Sequence, residues 1–189
     1  DPRLAPELER LLGSTPGYVP TPPIYFRPNP YPPASLRDYA APRLAKREAD
    51  TQHLGIERLF VESPAMRRVV QVQVQHAKDQ GKPAPMLYLL DGVTAPKESG
   101  WLREGNVQQL GGEQVTVVMP TEATGSNYAN WQSDDPLLGR MQWETFLTSE
   151  LPTVLEKEAG LKFNGTRYIG GVSMGGSAAV RLANLHPDL

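Results

Sequence analysis

The sequence predicts an α/β fold whose sheet is mostly parallel and begins with antiparallel strands. Arg68–His76 alternates apolar and polar residues with a period of two, the pattern of a half-buried antiparallel strand. Met86–Leu90 is a continuous apolar run, which is typical of a strand buried on both faces. From that strand onwards, each predicted strand is followed by a predicted helix, and this order builds a parallel sheet.

The chain is predicted to divide into a Pro-rich extension with short helices, residues 1–54, and a domain, residues 55–189. The first 50 residues hold 11 of the 19 prolines. Asp1–Leu12 is predicted as a short amphipathic helix. Because proline lacks a backbone N–H, residues 14–34 are expected to be extended, as a surface strap or as a ligand for an aromatic groove of a partner. A capping-box-like start predicts a helix over Ser35–Asp50.

The elements of the predicted domain follow from short apolar runs separated by turn residues. Pro120 ends one strand before a polar loop over 121–141, and Pro152 predicts a kink inside a helix. The predicted strands are Arg58–Glu62, Arg68–His76, Met86–Leu90, Gln114–Met119 and Arg167–Val172, and the predicted helices are Trp101–Leu110, Gln142–Gly160 and Met174–Leu185.

Composition excludes several classes of protein. The 19 Lys and Arg residues nearly balance the 21 Asp and Glu residues, so there is no basic surface for a nucleic acid or an anionic membrane. No apolar run approaches the ~18 residues of a membrane span. There is no Cys, which excludes disulfides, thiolate metal sites and a Cys nucleophile. No cofactor is expected.

The strongest motif is the pentapeptide Gly171–Gly175, which reads G-V-S-M-G and matches G-x-S-x-G. It lies between a predicted strand and a predicted helix, the context of a nucleophile elbow. Ser173 is then the nucleophile, and small neighbours let it occupy a strained turn. The Met174 N–H begins the helix and would stabilise an oxyanion. The alternative is a Gly-rich packing turn without a catalytic role.

A second candidate element follows the first buried strand, at Asp91-Gly92-Val93. In an α/β-hydrolase, the loop after that strand supplies the second backbone N–H of the oxyanion hole. Gly92 would let the backbone approach the reacting carbonyl, and Val93 is the expected donor. The alternative is a plain turn.

A general base and an orienting acid are not found in this chain. In α/β-hydrolases they follow the nucleophile in the order acid, then His. Only 16 residues follow Ser173, and His186 lies 13 residues on, about 20 Å along the predicted helix. His53 and His76 are expected to be solvated or capping residues. The chain is therefore expected to be the N-terminal part of a hydrolase, whose last strands, acid and base come from a removed segment or a second polypeptide.

These residues make the chain resemble the mycolyltransferases, the antigen 85 type of α/β-hydrolase within a wider esterase family. The resemblance covers roughly residues 57–189. The matching stretches are Glu62–Arg68, Leu87–Val93, Val117–Pro120, Asn127–Trp131, Gln142–Pro152 and Gly171–Pro187.

The resemblance implies a protein secreted to the cell envelope of a mycolate-bearing actinobacterium. The family moves a mycolyl chain from one trehalose ester to another trehalose or to cell-wall arabinogalactan. Ser173 matches the acylated nucleophile, Val93 and Met174 match the oxyanion donors, and Asp91 matches an acid of the sugar pocket. The expected partners are a glycolipid ester, a sugar acceptor and a complementary C-terminal chain or segment.

The chain departs from the family pattern at several positions. Thr94 stands where many members carry an Arg that contacts the sugar, and Asn130 stands where an Asp precedes Trp. Trp131 is a candidate for stacking on a sugar, with a structural role as the alternative, whereas Trp143 is expected to pack in the core.

The sequence thus predicts a serine acyltransferase of mycolyltransferase type, with an isolated chain that is inactive. Two alternatives remain. A carboxylesterase of the same fold would pass the acyl group to water. A catalytically inactive envelope protein would keep the fold while its Pro-rich leader recruits a partner.

Overall fold

The computed structural model describes residues 33–136 and 138–189. These residues form one sheet of six strands in the order β1-β2-β3-β5-β4-β6. The strands are β1 (Arg43–Ala49), β2 (Ile56–Ser63), β3 (Arg68–Gln75), β4 (Ala84–Leu90), β5 (Thr116–Pro120) and β6 (Phe163–Gly171), and the helices are α1 (Gly100–Arg103), α2 (Trp143–Thr145), α3 (Leu151–Lys157) and α4 (Met174–Leu185).

The sheet combines antiparallel lead-in strands with a parallel centre. The antiparallel pairs are β1 with β2, β2 with β3, and β3 with β5. β4 pairs parallel with both β5 and β6. The predicted α/β plan is confirmed, because each parallel strand is reached through a crossover that carries helical turns.

The helix predicted over Ser35–Asp50 is wrong. Arg43–Ala49 is β1, an edge strand paired with β2. Its Lys, Arg, Glu and Ala residues are good helix formers, but cross-strand pairs such as Arg47 with Glu57 outweigh that local preference. The predicted division after residue 54 therefore falls between two strands of the same sheet. The predicted helix Asp1–Leu12 and most of the Pro-rich stretch lie outside the described residues.

Strand β3 is buried on both faces, so the prediction of a half-buried strand is also wrong. Val70, Val72 and Val74 pack in the larger hydrophobic core with α2, α3 and α4. The alternate glutamines, Gln71, Gln73 and Gln75, are buried as well, on the face covered by α1 and its neighbours. The alternation correctly separated the apolar face of the strand from its polar face. The polar face, however, is covered by protein and is not exposed to water.

Two predicted helices are interrupted. The helix predicted over Trp101–Leu110 splits into α1 and a 3₁₀ turn, Val107–Gly112, because Asn106 has a left-handed φ of 55°. The helix predicted over Gln142–Gly160 contains a π-helical turn, Phe146–Glu150, between α2 and α3. This turn lies just before Pro152, whose missing N–H disturbs the regular pattern, as predicted.

The sheet topology brings two loops together at one end. In the parallel pair, Leu90 of β4 lies opposite Gly171 of β6. The residues that follow these two strands are therefore neighbours in space, since parallel strands end at the same edge. Within the described residues, no helix is long and apolar enough to cross a membrane.

Candidate active site

Ser173 occupies a strained turn between β6 and α4. Its backbone angles are φ 53° and ψ −116°, a region that residues with a side chain rarely adopt. Its side chain is exposed. Strained conformations of this kind are concentrated at functional sites, where surrounding structure holds them in place.

The glycines of the pentapeptide are required by close backbone contacts. A Cβ atom at Gly171 would lie 2.2 Å from the carbonyl carbon of Gly175. A Cβ atom at Gly175 would lie 2.4 Å from the backbone oxygen of Leu90. Any larger residue would have to push the start of α4 away from the ends of β4 and β6. The predicted strand–turn–helix context of the G-x-S-x-G motif is confirmed.

The loop after β4 passes directly beside the serine. A Cβ atom at Gly92 would lie 3.8 Å from the Cβ atom of Ser173. The next residue, Val93, is exposed, and Met174 is the first residue of α4. Among the described residues, neither the Val93 N–H nor the Met174 N–H has a hydrogen-bond acceptor. Two backbone donors of residues next to Gly92 and Ser173 in the chain therefore remain without an acceptor in the described part of the chain.

A cavity of about 310 Å³ opens beside this turn. It combines small residues that leave room with charged and aromatic residues that could contact a ligand. Its lining consists of Asp91, Gly92, Thr94, Pro96, Gly100, Trp101, Arg103, Glu104, Gly105 and Val172. Thr94 is exposed at this cavity, and its carbonyl accepts a hydrogen bond from Thr124 Oγ1 at 2.7 Å.

Asp91 is the buried charged group of the cavity, with 2% of its surface exposed. Its Oδ1 accepts the Gly100 N–H at 2.9 Å and the Ser99 hydroxyl at 3.4 Å. Its Oδ2 is buried and has no partner among the described residues. Burial raises the pKa of Asp91 to about 6, although the hydrogen bonds from Gly100 and Ser99 oppose that rise. Within the described residues, Oδ2 is therefore the acceptor of Asp91 that no other group uses at the cavity wall.

Trp131 is not brought to this cavity. It is half-buried against the main core, and its Nε1–H donates to the Ser126 carbonyl at 3.0 Å. Trp143 is fully buried, and its predicted packing role is confirmed.

Each of the three histidines is paired with a glutamate, and none of them is hydrogen-bonded to Ser173 in the described part of the chain. His53 contacts Glu98, His76 contacts Glu57, and His186 contacts Glu144. His186 lies at the far end of α4. Within residues 33–136 and 138–189, no side chain is hydrogen-bonded to Ser173. In the same ranges there is also no cluster of three His, Asp or Glu residues that could hold a metal ion.

Sequence reasoning missed the residues that support the site. Tyr128 accepts the Asp91 N–H, and Gln73 accepts the Ser99 N–H. Arg181 of α4 donates to the carbonyls of Asn127 and Tyr128, both at 2.9 Å. These two loop residues have positive φ values of 54° and 50°. Buried polar contacts between distant segments leave no periodic signal, so no pattern in the sequence could have found them.

Comparisons of the sequence with known proteins identify one family. A family model described as "Putative esterase" matches residues 63–189. The MPT51 antigen of Mycobacterium leprae is 40% identical over 79% of this chain and 47% of its own length. The diacylglycerol acyltransferase/mycolyltransferase Ag85A of Mycobacterium leprae is 39% identical over 71% of this chain and 41% of its own length. The chain thus spans about half the length of the curated relatives it matches.

Solved structures agree with these matches. The crystal structure of Mycobacterium tuberculosis MPT51 has 37% identity and a TM-score of 0.61, covering 72% of this chain and 48% of that chain. An S-formylglutathione hydrolase from Agrobacterium tumefaciens has 19% identity and a TM-score of 0.62, covering 77% and 58% of the two chains. The second likeness concerns the fold alone, and the predicted α/β-hydrolase fold is confirmed.

Proposed function

The chain belongs to the family described as "Putative esterase", and from that membership we propose that it carries the nucleophile of a serine acyltransferase. The proposed reaction moves a mycolyl chain between trehalose esters or to cell-wall arabinogalactan in an actinobacterial envelope. The observation that supports it most is the strained Ser173, which lies beside Gly92, together with the Val93 and Met174 N–H groups, which have no acceptor among the described residues. Two mycobacterial relatives named acyltransferase/mycolyltransferase support the choice of acyl transfer.

The reaction proceeds in two steps that share one oxyanion site. Ser173 Oγ attacks the ester carbonyl while a general base takes its proton, and the Val93 and Met174 N–H groups bind the oxyanion. The tetrahedral species collapses, the C–O bond to the leaving alcohol breaks, and that alcohol receives the proton. A sugar hydroxyl then attacks the acyl-serine, loses its proton to the base, and leaves with the acyl group as Ser173 is restored.

The cavity beside Asp91 is the proposed site of the sugar. Its free Oδ2 accepts one sugar hydroxyl, and Thr94 adds a second polar contact at the cavity edge. Arg103 and Glu104 lie 3.8 Å apart on the same cavity and offer both a donor and an acceptor. These few polar groups on a largely apolar lining can orient a hydroxylated acceptor.

The general base and acid come from a further segment that pairs with β6. β6 is the last strand of the sheet and leaves one edge unpaired within the described residues. Tyr168 on this strand, Val172 directly after it, and Val180 and Leu185 on α4 are exposed. Exposed apolar side chains beside a free strand edge are typical of a surface that another segment covers. The relatives, which are about twice as long, have enough chain for such a segment.

A carboxylesterase is the second candidate, and the family description favours it. The same acyl-enzyme would then pass its acyl group to water. The two reactions differ in whether the site excludes water and holds the acceptor.

The full-length protein tests both candidates with one ester donor. Adding trehalose should divert the acyl group from water to sugar. A fluorophosphonate probe should label Ser173, and Ser173→Ala should abolish both the labelling and the turnover. Ser177→Ala, at an exposed position one turn along α4, is the matched control and should keep both. Labelling that survives Ser173→Ala contradicts the assignment, and hydrolysis without transfer favours the esterase.

A further inference from the structure

A line of buried polar groups connects the end of β1 with Asp91. The carboxylate of Asp50 has no exposed surface, and its Oδ2 accepts the Gln73 Nε2–H at 3.2 Å. Gln73 Oε1 accepts the backbone N–H of Ser99 at 2.7 Å. Ser99 Oγ in turn donates to Asp91 Oδ1. Gln73 and Ser99 are both fully buried, so each of these contacts replaces hydration that the groups have lost.

Asp50 is held as a carboxylate. Its Oδ1 accepts the N–H groups of Gln52 and His53 at 2.9 Å and 3.0 Å, and its Oδ2 accepts Arg58 Nε–H at 2.7 Å. Burial alone would raise the pKa of Asp50, but these hydrogen bonds and the Arg58 charge bring the pKa below its ordinary value. A charged acceptor at one end of the Gln73 amide polarises it and strengthens Oε1 as the acceptor of the Ser99 N–H.

The Gln73 amide has only one orientation that satisfies both neighbours. Its oxygen faces an N–H donor and its nitrogen faces a carboxylate. A flipped amide would place donor against donor and acceptor against acceptor. Gln73 is therefore fixed in the middle of β3, and it fixes Ser99 in turn.

Two further contacts hold the loop that contains Ser99. Gln71 Nε2–H donates to the Lys97 carbonyl at 2.9 Å, and His53 Nε2 contacts the Glu98 carboxylate. The consecutive residues 97–99 are thus held by polar groups of β3 and of the β1–β2 turn. The next residue, Gly100, supplies the N–H that holds Asp91 Oδ1.

We propose that Gln73 and Asp50 are positioning residues that hold the Asp91 carboxyl group with Oδ1 occupied and Oδ2 free for a ligand hydroxyl. Neither residue lines the cavity, so both act through Ser99 and Gly100. The identification of the ligand as the sugar acceptor rests on the proposed function.

The test compares Gln73→Met with Gln75→Met in the full-length protein. Gln75 is a matched control, because it is also buried on β3 but donates its Nε2–H to the Val107 carbonyl instead. Gln73→Met should raise the KM for trehalose about tenfold, the effect of one lost buried hydrogen bond. The rate of fluorophosphonate labelling at Ser173 should change by less than the KM does, since no hydrogen bond among the described residues joins the Asp91 carboxyl group to Ser173. Gln75→Met should change neither value.

A direct structural readout is hydrogen exchange of the Gly100 N–H, which donates to Asp91 and not to Gln73. It should exchange about tenfold faster in Gln73→Met and at the original rate in Gln75→Met. If trehalose accepts no acyl group even in the unaltered protein, the proposed function fails and this exchange rate alone decides on the positioning role. An unchanged Gly100 exchange rate in Gln73→Met overturns the positioning role. If the protein does transfer acyl groups to trehalose, an unchanged KM for trehalose overturns it as well.

A charge exchange keeps the test informative if Gln73→Met folds poorly. Gln73→Glu alone places a second carboxylate against Asp50 and should raise the KM and the Gly100 exchange rate. Adding Asp50→Asn restores one carboxylate facing one amide, and the double variant should recover about half of the loss or more. A double variant that is as impaired as the sum of its two single changes contradicts the proposal.

Discussion

The phenol oxygen of Tyr128 accepts the backbone N–H of Asp91 at 2.8 Å. Tyr128 is fully buried, and its ring packs edge-to-face on Trp143 with the centroids 5.7 Å apart. The hydroxyl therefore joins the polar loop after β5 to Asp91, the residue that follows β4 and lines the candidate sugar cavity. Burial raises the pKa of Tyr128, so this group stays a neutral hydroxyl.

Removing that hydroxyl should destabilise the fold. Tyr128→Phe leaves the buried Asp91 N–H without an acceptor, which should lower the free energy of unfolding by about 1–3 kcal/mol in urea. Tyr88→Phe is the matched control. The Tyr88 hydroxyl is buried and has no hydrogen-bond partner within residues 33–136 and 138–189, so its loss should change stability by less than about 0.5 kcal/mol. Equal losses for the two variants would show that the Tyr128–Asp91 contact contributes nothing of its own.

Neutralising Asp91 should stabilise the protein near neutral pH. Because its pKa is about 6 in the folded state, against 3.8 for an ordinary Asp side chain, the folded protein binds the proton more tightly than the unfolded chain does. The contribution of Asp91 to the free energy of unfolding is fully present below about pH 4 and is lost as the pH rises through 6. Asp91→Asn should therefore raise the free energy of unfolding at pH 7.5 by on the order of 1–3 kcal/mol, which appears as a higher Tm. At pH 4 it should have little effect.

Asp188→Asn, at an exposed position, is the control for that experiment and should leave Tm unchanged at both pH values. A loss of stability in Asp91→Asn at pH 7.5 would mean that the ionised carboxylate is stabilising, contrary to its burial.

The close approach of α4 to β4 should make Gly175 intolerant of any side chain. Gly175→Ala puts a Cβ atom 2.4 Å from a backbone oxygen, which cannot move aside cheaply. We expect a loss of about 3 kcal/mol or more, or failure to fold. Gly112→Ala, where nothing lies within 4 Å of the added atom, should stay within about 0.5 kcal/mol. Thermal unfolding of both variants measures the difference, and a stable Gly175→Ala would contradict the elbow geometry.

Strand β1 should contribute to stability although it was expected to be a helix outside the core. The comparison is between a protein without residues 1–32 and one without residues 1–50. The longer deletion removes β1, exposes the edge of β2 and deletes Asp50 with its hydrogen bonds. It should unfold at a lower urea concentration or with less cooperativity than the shorter deletion. Identical unfolding curves would restore the predicted boundary at residue 54.

The free edge of β6 should make residues 1–189 associate when they are expressed alone. Tyr168 is 56% exposed on this edge strand. Tyr168→Lys should reduce the mass measured by light scattering, because a charged residue opposes pairing between strand edges. Leu54→Lys, in a turn where Leu54 is 98% exposed, is the control for simple loss of surface hydrophobicity. A monodisperse monomer with Ser173-dependent turnover would contradict both the proposed covering segment and the missing base.

The sequence alone predicted the strands β2 to β6, the α/β plan and the elbow. These features depend on neighbours in the chain: an apolar run, a period of two, or glycines on either side of Ser173. The requirement for Gly171 is local in the same sense, since its close contact is with Gly175 of the same pentapeptide, whereas Gly175 is required by the backbone of Leu90 on β4.

Only the tertiary structure decided where β1 lies, that Gln73 is buried, and that Tyr128 and Gln73 hold the Asp91 region in place. Helix-forming residues of β1 became a strand because β2 offers it hydrogen bonds and charge pairs. The polar face of β3 became buried because α1 and its loop cover it, and the glutamines found partners there. Such contacts join residues far apart in the chain, and their energy depends on burial that no local pattern encodes.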